Sequence, residues 1–199
     1  MPEVRPGNAT IHAKGAETLA TMQEAAALHG QWLPVDAHGR VTLAELLERR
    51  DGGPREARYG PLRARVLAAV AGGLRFGSEA VKDVAGYDIR RAWLGVVPIA
   101  QATLRLTARP VWRRDALLHG GDAFALAEAL RALPSAPAAI VVLAADLLAI
   151  SDDASASEVE RRERDVDRAA AAAGAELELI DRLDWIARCD SMPATRVRL

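Results

Sequence analysis

The chain has one cysteine, Cys189, and so cannot form an internal disulfide; a reducing, cytoplasmic setting is the expectation. Lysine is almost absent: Lys14 and Lys82 stand against 24 arginines. Those cations are offset by 27 acidic residues, for a formal charge of −1, which excludes a polybasic nucleic-acid surface. Aromatic residues make up 4% of the chain, which says little about function. Charges, glycine or proline interrupt each apolar run before it could span a bilayer, and the opening MPEVRPGNAT has no apolar leader segment. The four histidines, His12, His29, His38 and His119, have no i,i+4 partners, so no metal-ligand spacing occurs. Neither a GxxxxGK[ST] nor a GxGxxG phosphate loop is found.

What remains is a globular composition, half hydrophobic over 199 residues. ATIHAKG reads as a strand. AETLATMQEAAALHG reads as a helix with Leu19, Met22 and Ala26 on one face and Gly30 as its stop. VTLAELLERR is a second helix with Leu43, Leu46 and Leu47 together, and DGGPRE is a loop. RVLAAVAGGLRFG predicts a hairpin about Gly72-Gly73. IAQATLRLT alternates, with Ala102, Leu104 and Leu106 opposed to Gln101, Thr103 and Arg105.

Pro110 marks an expected boundary between residues 1–109 and 110–199. Beyond it the pattern predicts a strand at Trp112–His119, a helix at Asp122–Leu133 and strands at AAIVVLA and LLAISDD. A helix from about Ser155 to Ala173 and the strand AELELID complete the series. The order strand-helix-strand-strand-helix-strand is that of a ferredoxin-like βαββαβ domain, and the fold class expected for the whole is α+β. Ser155 and Ser157 each carry a glutamate three residues on, the capping-box spacing. The tryptophans Trp32, Trp93, Trp112 and Trp185 read as packing residues.

The least ordinary stretch is AVKDVAGYDIRRAWLG. Local chemistry places Gly86 at a positive φ, Asp88 as the cap of a helix at Ile89–Leu94, and Tyr87 in packing. The same turn would bare backbone N–H groups suited to a phosphate. Both readings stay open on the residues alone.

GLRFGSEAVKDVAGYDIRRAWLG resembles the hydrophobic-R-x-G-G-x-V-V-K-N-V-A-G-Y-D-L segment of the FAD-binding glycolate oxidase subunits, a family of flavoproteins of the vanillyl-alcohol oxidase and D-lactate dehydrogenase type. RPGNATIHAKGAETLATMQEAAALHGQWLPVD, RYGPLRARVLAAV and ATLRLTARP are similar to further family segments in the same order. The resemblance implies a pared-down second lobe of a PCMH-type FAD-binding domain over 1–109, followed by a ferredoxin-like cap over 110–199. It implies FAD as cofactor, with Thr42, Gly86, Tyr87, Asp88 and Ile99 at cofactor-binding positions, and assigns no catalytic residue. The implied partners are a complete flavin subunit and an iron–sulfur subunit, with any membrane association made through that complex.

The chain also departs from the family. Ala44 and Glu45 stand where relatives have two glycines, and most of the G-S-x-G-T-x-G loop before Ile99 is lost. The chain starts after the point at which relatives carry the glycine-rich pyrophosphate loop. The expected function is therefore a subunit of a glycolate oxidase-like, FAD-linked 2-hydroxy acid dehydrogenase complex with reduced or lost FAD binding. A fully FAD-binding oxidoreductase subunit and a free-standing small-molecule module of ferredoxin-like type are the alternatives.

Overall fold

A computed structural model describes residues 1–49, 52–77 and 96–190, which form two compact units, Met1–Arg109 and Pro110–Leu199. Gly86, Tyr87 and Asp88, like Lys82 and Trp93, lie outside the described residues.

In the first unit, strands β1 (Glu3–Arg5), β2 (Thr10–Lys14), β4 (Val66–Ala71), β5 (Leu74–Gly77) and β6 (Ile99–Arg105) make a sheet of order β1-β2-β6-β4-β5. All neighbours in it are antiparallel. A two-residue pair, β3 (Gln31–Trp32) with β7 (Thr107–Ala108), stands apart from it. The turn joining β4 to β5 uses Gly72 at φ +56° and Gly73 at +79°, two successive left-handed positions that only glycine adopts freely.

Helix α1 (Leu19–Ala27) begins at Thr18, whose Oγ1 accepts the Thr21 N–H at 3.3 Å, and stops before Gly30 at φ +64°. Helix α2 (Leu43–Arg49) follows an extended loop. Leu19, Met22 and Ala26 of α1 and Leu43, Leu46 and Leu47 of α2 pack with Ile11, Ala13, Ala102 and Leu104 of the sheet in one core. The spacing of these residues gives each helix one apolar face, and burying each large side chain contributes about 1.5–3 kcal/mol. Two single-turn helices, α3 (Glu56–Tyr59) and α4 (Leu62–Arg65), lead into β4.

In the second unit the order is β8 (Trp112–His119), α5 (Ala123–Arg131), β9 (Ala139–Ala144), β10 (Leu147–Ala154), α6 (Val159–Ala172), β11 (Glu176–Ile180) and α7 (Arg182–Asp190). The sheet runs β11-β8-β10-β9 with all neighbours antiparallel. Both its faces are covered. Ala116, Leu118, Leu148 and Ile150 meet Leu126, Leu130, Val166 and Ala170 of α5 and α6. Leu117, Val141 and Ala149 meet Trp185 and Ile186 of α7, an element that the sequence pattern did not suggest.

Two helix starts differ from expectation. Asp122 is the cap of α5 rather than its first residue, its Oδ1 accepting from Phe124 and Ala125. Helix α6 starts at Val159, not Ser155. The Glu158 carboxylate folds back on Ser155, accepting its hydroxyl at 2.6 Å and its N–H at 3.3 Å, and this closes a separate turn ahead of the helix. Those bonds, the hydroxyl first, lower the Glu158 carboxyl to about 2.

Strand β10 carries two adjacent buried carboxylates. Asp152 meets Arg162 of α6 at 3.0 Å, and Asp153 meets Arg113 of β8 at 3.1 Å. Arg162 also donates to the Ala136 carbonyl at 3.1 Å, which ties α6 to the segment ahead of β9.

Candidate functional site

Thr42 and Ile99 come together around Gly15, the residue after β2. The Gly15 N–H donates to Ala100 O at 2.7 Å, and its carbonyl accepts from Ala44 N–H at 2.9 Å. A Cβ on Gly15 would run into the Ile99 carbonyl oxygen, so the strand can cross here only as glycine. A bridge between Thr18 and Thr42, and the Leu43 N–H bond to Glu17 O at 2.8 Å, fix the start of α2 beside this turn. Ile99 itself is buried in the core at the beginning of β6.

Thr42 is held by Glu45. Its N–H and its hydroxyl each donate to Glu45 Oε2 at 2.8 Å, and the Glu45 N–H returns to Thr42 Oγ1 at 3.3 Å. This reciprocal capping box uses the donors that open the helix. The backbone bond from Thr42, then its hydroxyl bond, and also the charge of Arg49, hold the Glu45 carboxyl below the usual carboxylate range. The start of α2 therefore presents an ionised carboxylate and the Ala44 methyl. The spacing Thr-x-x-Glu stands in VTLAELL as a capping signal, but the family's glycines at the same place point only to what Glu45 displaces, not to what it binds.

The H-G-Q-W-L-P-x-D stretch is organised by a contact that no sequence signal announced. Asp36 accepts from the Arg55 N–H at 2.9 Å and from Arg55 Nη1, and both side chains are fully buried. The Arg55 guanidinium stands 5.7 Å from the Trp32 ring, which meets Tyr59 edge-on at 5.7 Å. Gly53, at φ +87°, approaches so closely that a Cβ would strike Asp36.

Three of the histidines have separate partners. His12 Nδ1 lies 3.1 Å from Thr103 Oγ1, His38 Nδ1 accepts from Arg40 N–H at 3.2 Å, and His119 pairs with Glu178 at 2.8 Å. Among the described residues no three His, Cys, Asp or Glu side chains gather as a metal site, and no helix is long and apolar enough to cross a membrane.

No family model and no curated protein matches the chain. Solved structures do. Two structures of alkyldihydroxyacetonephosphate synthase, in different crystal forms, superpose with TM-scores of 0.74 and 0.72 at 14% and 13% identity. Each match covers 95% of this chain and 43% or 44% of the other, so the chain spans under half the length of those enzymes. At that identity the likeness shows the fold alone: mixed α and β structure with antiparallel sheets.

Proposed function

We infer that this chain is a subunit of a glycolate oxidase-like, FAD-linked 2-hydroxy acid dehydrogenase complex, and that its own FAD binding is reduced or lost. The observation that carries the second half is the Thr42–Glu45 capping box. Where the resembled family approaches a flavin with glycine backbone, this chain has a fixed anion and a methyl group. A carboxylate there repels the electron density that a reduced flavin would carry, and Thr42 has no N–H or hydroxyl donor left to offer. The residues at this point do not fit the flavin. The fold likeness supports the flavoprotein relation, and the motif resemblance supports the subunit type.

In this reading Pro110–Leu199 is the ferredoxin-like cap. The sheet order β11-β8-β10-β9 supports it, since that is fourth-first-third-second in chain order for the βαββαβ series. The chain would work with a complete flavin subunit and an iron–sulfur subunit.

Two measurements test the proposal. Titration of the purified chain with FAD, read by quenching of flavin fluorescence, is expected to show no saturable binding. A Kd below about 1 μM, roughly −8 kcal/mol, overturns the claim of lost affinity. Affinity purification from the native host is expected to bring down two larger subunits bearing flavin and iron–sulfur absorbance, and a solitary colourless chain would sink the subunit role.

A further inference from the structure

Strand β9 is an open edge of the second sheet. It stands last in the order β11-β8-β10-β9 and pairs with β10 alone. Among the described residues, none of its backbone groups bonds anywhere else. A strand with one neighbour turns about half of its N–H and C=O groups away from that neighbour, so β9 offers a row of directional donors and acceptors.

Its side chains do nothing to close that edge. AIVVLA has no charged or polar residue, and Ile140, Val141 and Val142 are β-branched strand formers. Ile140 and Val142 join the apolar layer under α5 and α6. Ala139, Val141 and Leu143 join the layer under α7, so both layers run out to this strand. Ile140, Val142 and Leu143 are half-buried, and Ala144 is exposed. A bulge at Leu143 disturbs only the end of the strand, and residues 139–142 keep a regular register with 148–151 of β10.

The opposite edge is built differently. Strand β11 exposes Glu176 and Glu178 along ELELI, and a second such strand laid against it would bring like charges together. One edge of the sheet therefore carries the charge that keeps strands off, and the other has none.

A strand added to β9 must be apolar on both faces, because it would extend both layers of the core; charges on it would be drawn toward apolar surface. A second copy of AIVVLA meets that requirement. Paired antiparallel about a two-fold axis near Val141 and Val142, it sets only apolar side chains against one another and opposes no charges. We propose that two copies of this chain associate through β9 in this way, joining their four-stranded sheets edge to edge. The surface belongs to Pro110–Leu199, so the proposal does not rest on the flavin reading.

Sedimentation velocity of the full chain from about 1 to about 100 μM is expected to show a reversible monomer–dimer equilibrium. Amide hydrogen exchange at the two ends of that range locates the contact. Exchange in residues 139–144 should slow about threefold or more at the higher concentration, with residues 176–180 unchanged. Val142→Lys and Val142→Glu each place like charges beside the axis and should raise the dimer dissociation constant about tenfold or more, whereas an equimolar mixture of the two should regain association. Circular dichroism checks that each variant is folded; where one is not, exchange in the parent decides. A chain that stays monomeric to about 100 μM overturns the proposal. So does a dimer whose β9 amides exchange as in the monomer, an open-ended polymer that protects β11 as well, or a folded Val142→Lys variant that dimerises as the parent does.

Discussion

Replacing Arg162 by methionine should destabilise the second unit by about 3–5 kcal/mol. Methionine keeps the aliphatic length of the side chain but removes the guanidinium that meets Asp152 at 3.0 Å and the Ala136 carbonyl at 3.1 Å. Asp152 keeps the Asp153 N–H bond at 2.8 Å, but its buried carboxylate loses that cation, the situation in which breaking an ion pair costs most. The unpaired carbonyl adds about 1 kcal/mol. Domains of this size are stable by only about 5–15 kcal/mol, so the loss is a large fraction of the total. The neighbouring Arg161 is the control. It meets Glu158 at 3.6 Å with its side chain 54% exposed, and Arg161→Ala should change stability by less than about 1 kcal/mol. Urea unfolding followed by circular dichroism measures both variants. The double variant Asp152→Leu/Arg162→Met should recover much of the loss, since a matched apolar pair removes the stranded charge. If Arg162→Met lies within about 1 kcal/mol of the parent, the pair contributes nothing and the reasoning fails.

Gly15→Ala should lower stability by about 1–3 kcal/mol, because its Cβ meets the Ile99 carbonyl and the backbone of β6 must shift; an unchanged melting temperature would refute that close approach. Glu158 and Glu45 both have lowered folded pKa values, so their contributions are fully present above the ordinary carboxylate value and fall away as the pH drops through the folded value. For Glu158 that window extends from about 4.5 down to about 2, and Ser155→Ala should flatten the acid limb of a melting-temperature profile in that range. An identical acid limb in the variant would count against the turn. Ala44→Gly/Glu45→Gly should raise FAD affinity if the capping box is what excludes the ring, and calorimetric titration of parent and variant decides it.

Much of the fold was legible because its elements bury one face each. The spacing of Leu19, Met22 and Ala26, the trio Leu43, Leu46 and Leu47, and the alternation through Ala102 and Leu104 each specify a periodicity and a side, and the core collects those residues. What was not legible depended on long-range contact. Asp36 and Arg55 are 19 residues apart, and neither has a local reason to be buried. Thr103 shares a face with Gln101 and Arg105 in the alternation, yet it is buried and bonded to His12 across 91 residues. Four of the nine residues of α7 are charged, and the burial of Trp185 against the far face of the sheet is what holds it. At the candidate site, Thr42 and Ile99 were reached only through family resemblance. Gly15, which brings them together, carries no mark in a single sequence beyond being a glycine after a strand.

The paired aspartates of β10 have a consequence for how the second sheet assembles. Burial on both faces removes the usual guard against misalignment, since a strand flanked by apolar layers can slide by one residue without exposing much. Asp152 and Asp153 point to opposite sides and find different cations, Arg162 in one layer and Arg113 on the neighbouring strand. A one-residue slip would turn each carboxylate away from its own arginine and toward the opposite layer, leaving both ion pairs broken at once. The two charges act as a key cut on both edges: the strand seats in one alignment, and misaligned pairings are penalised before the apolar layers close over them.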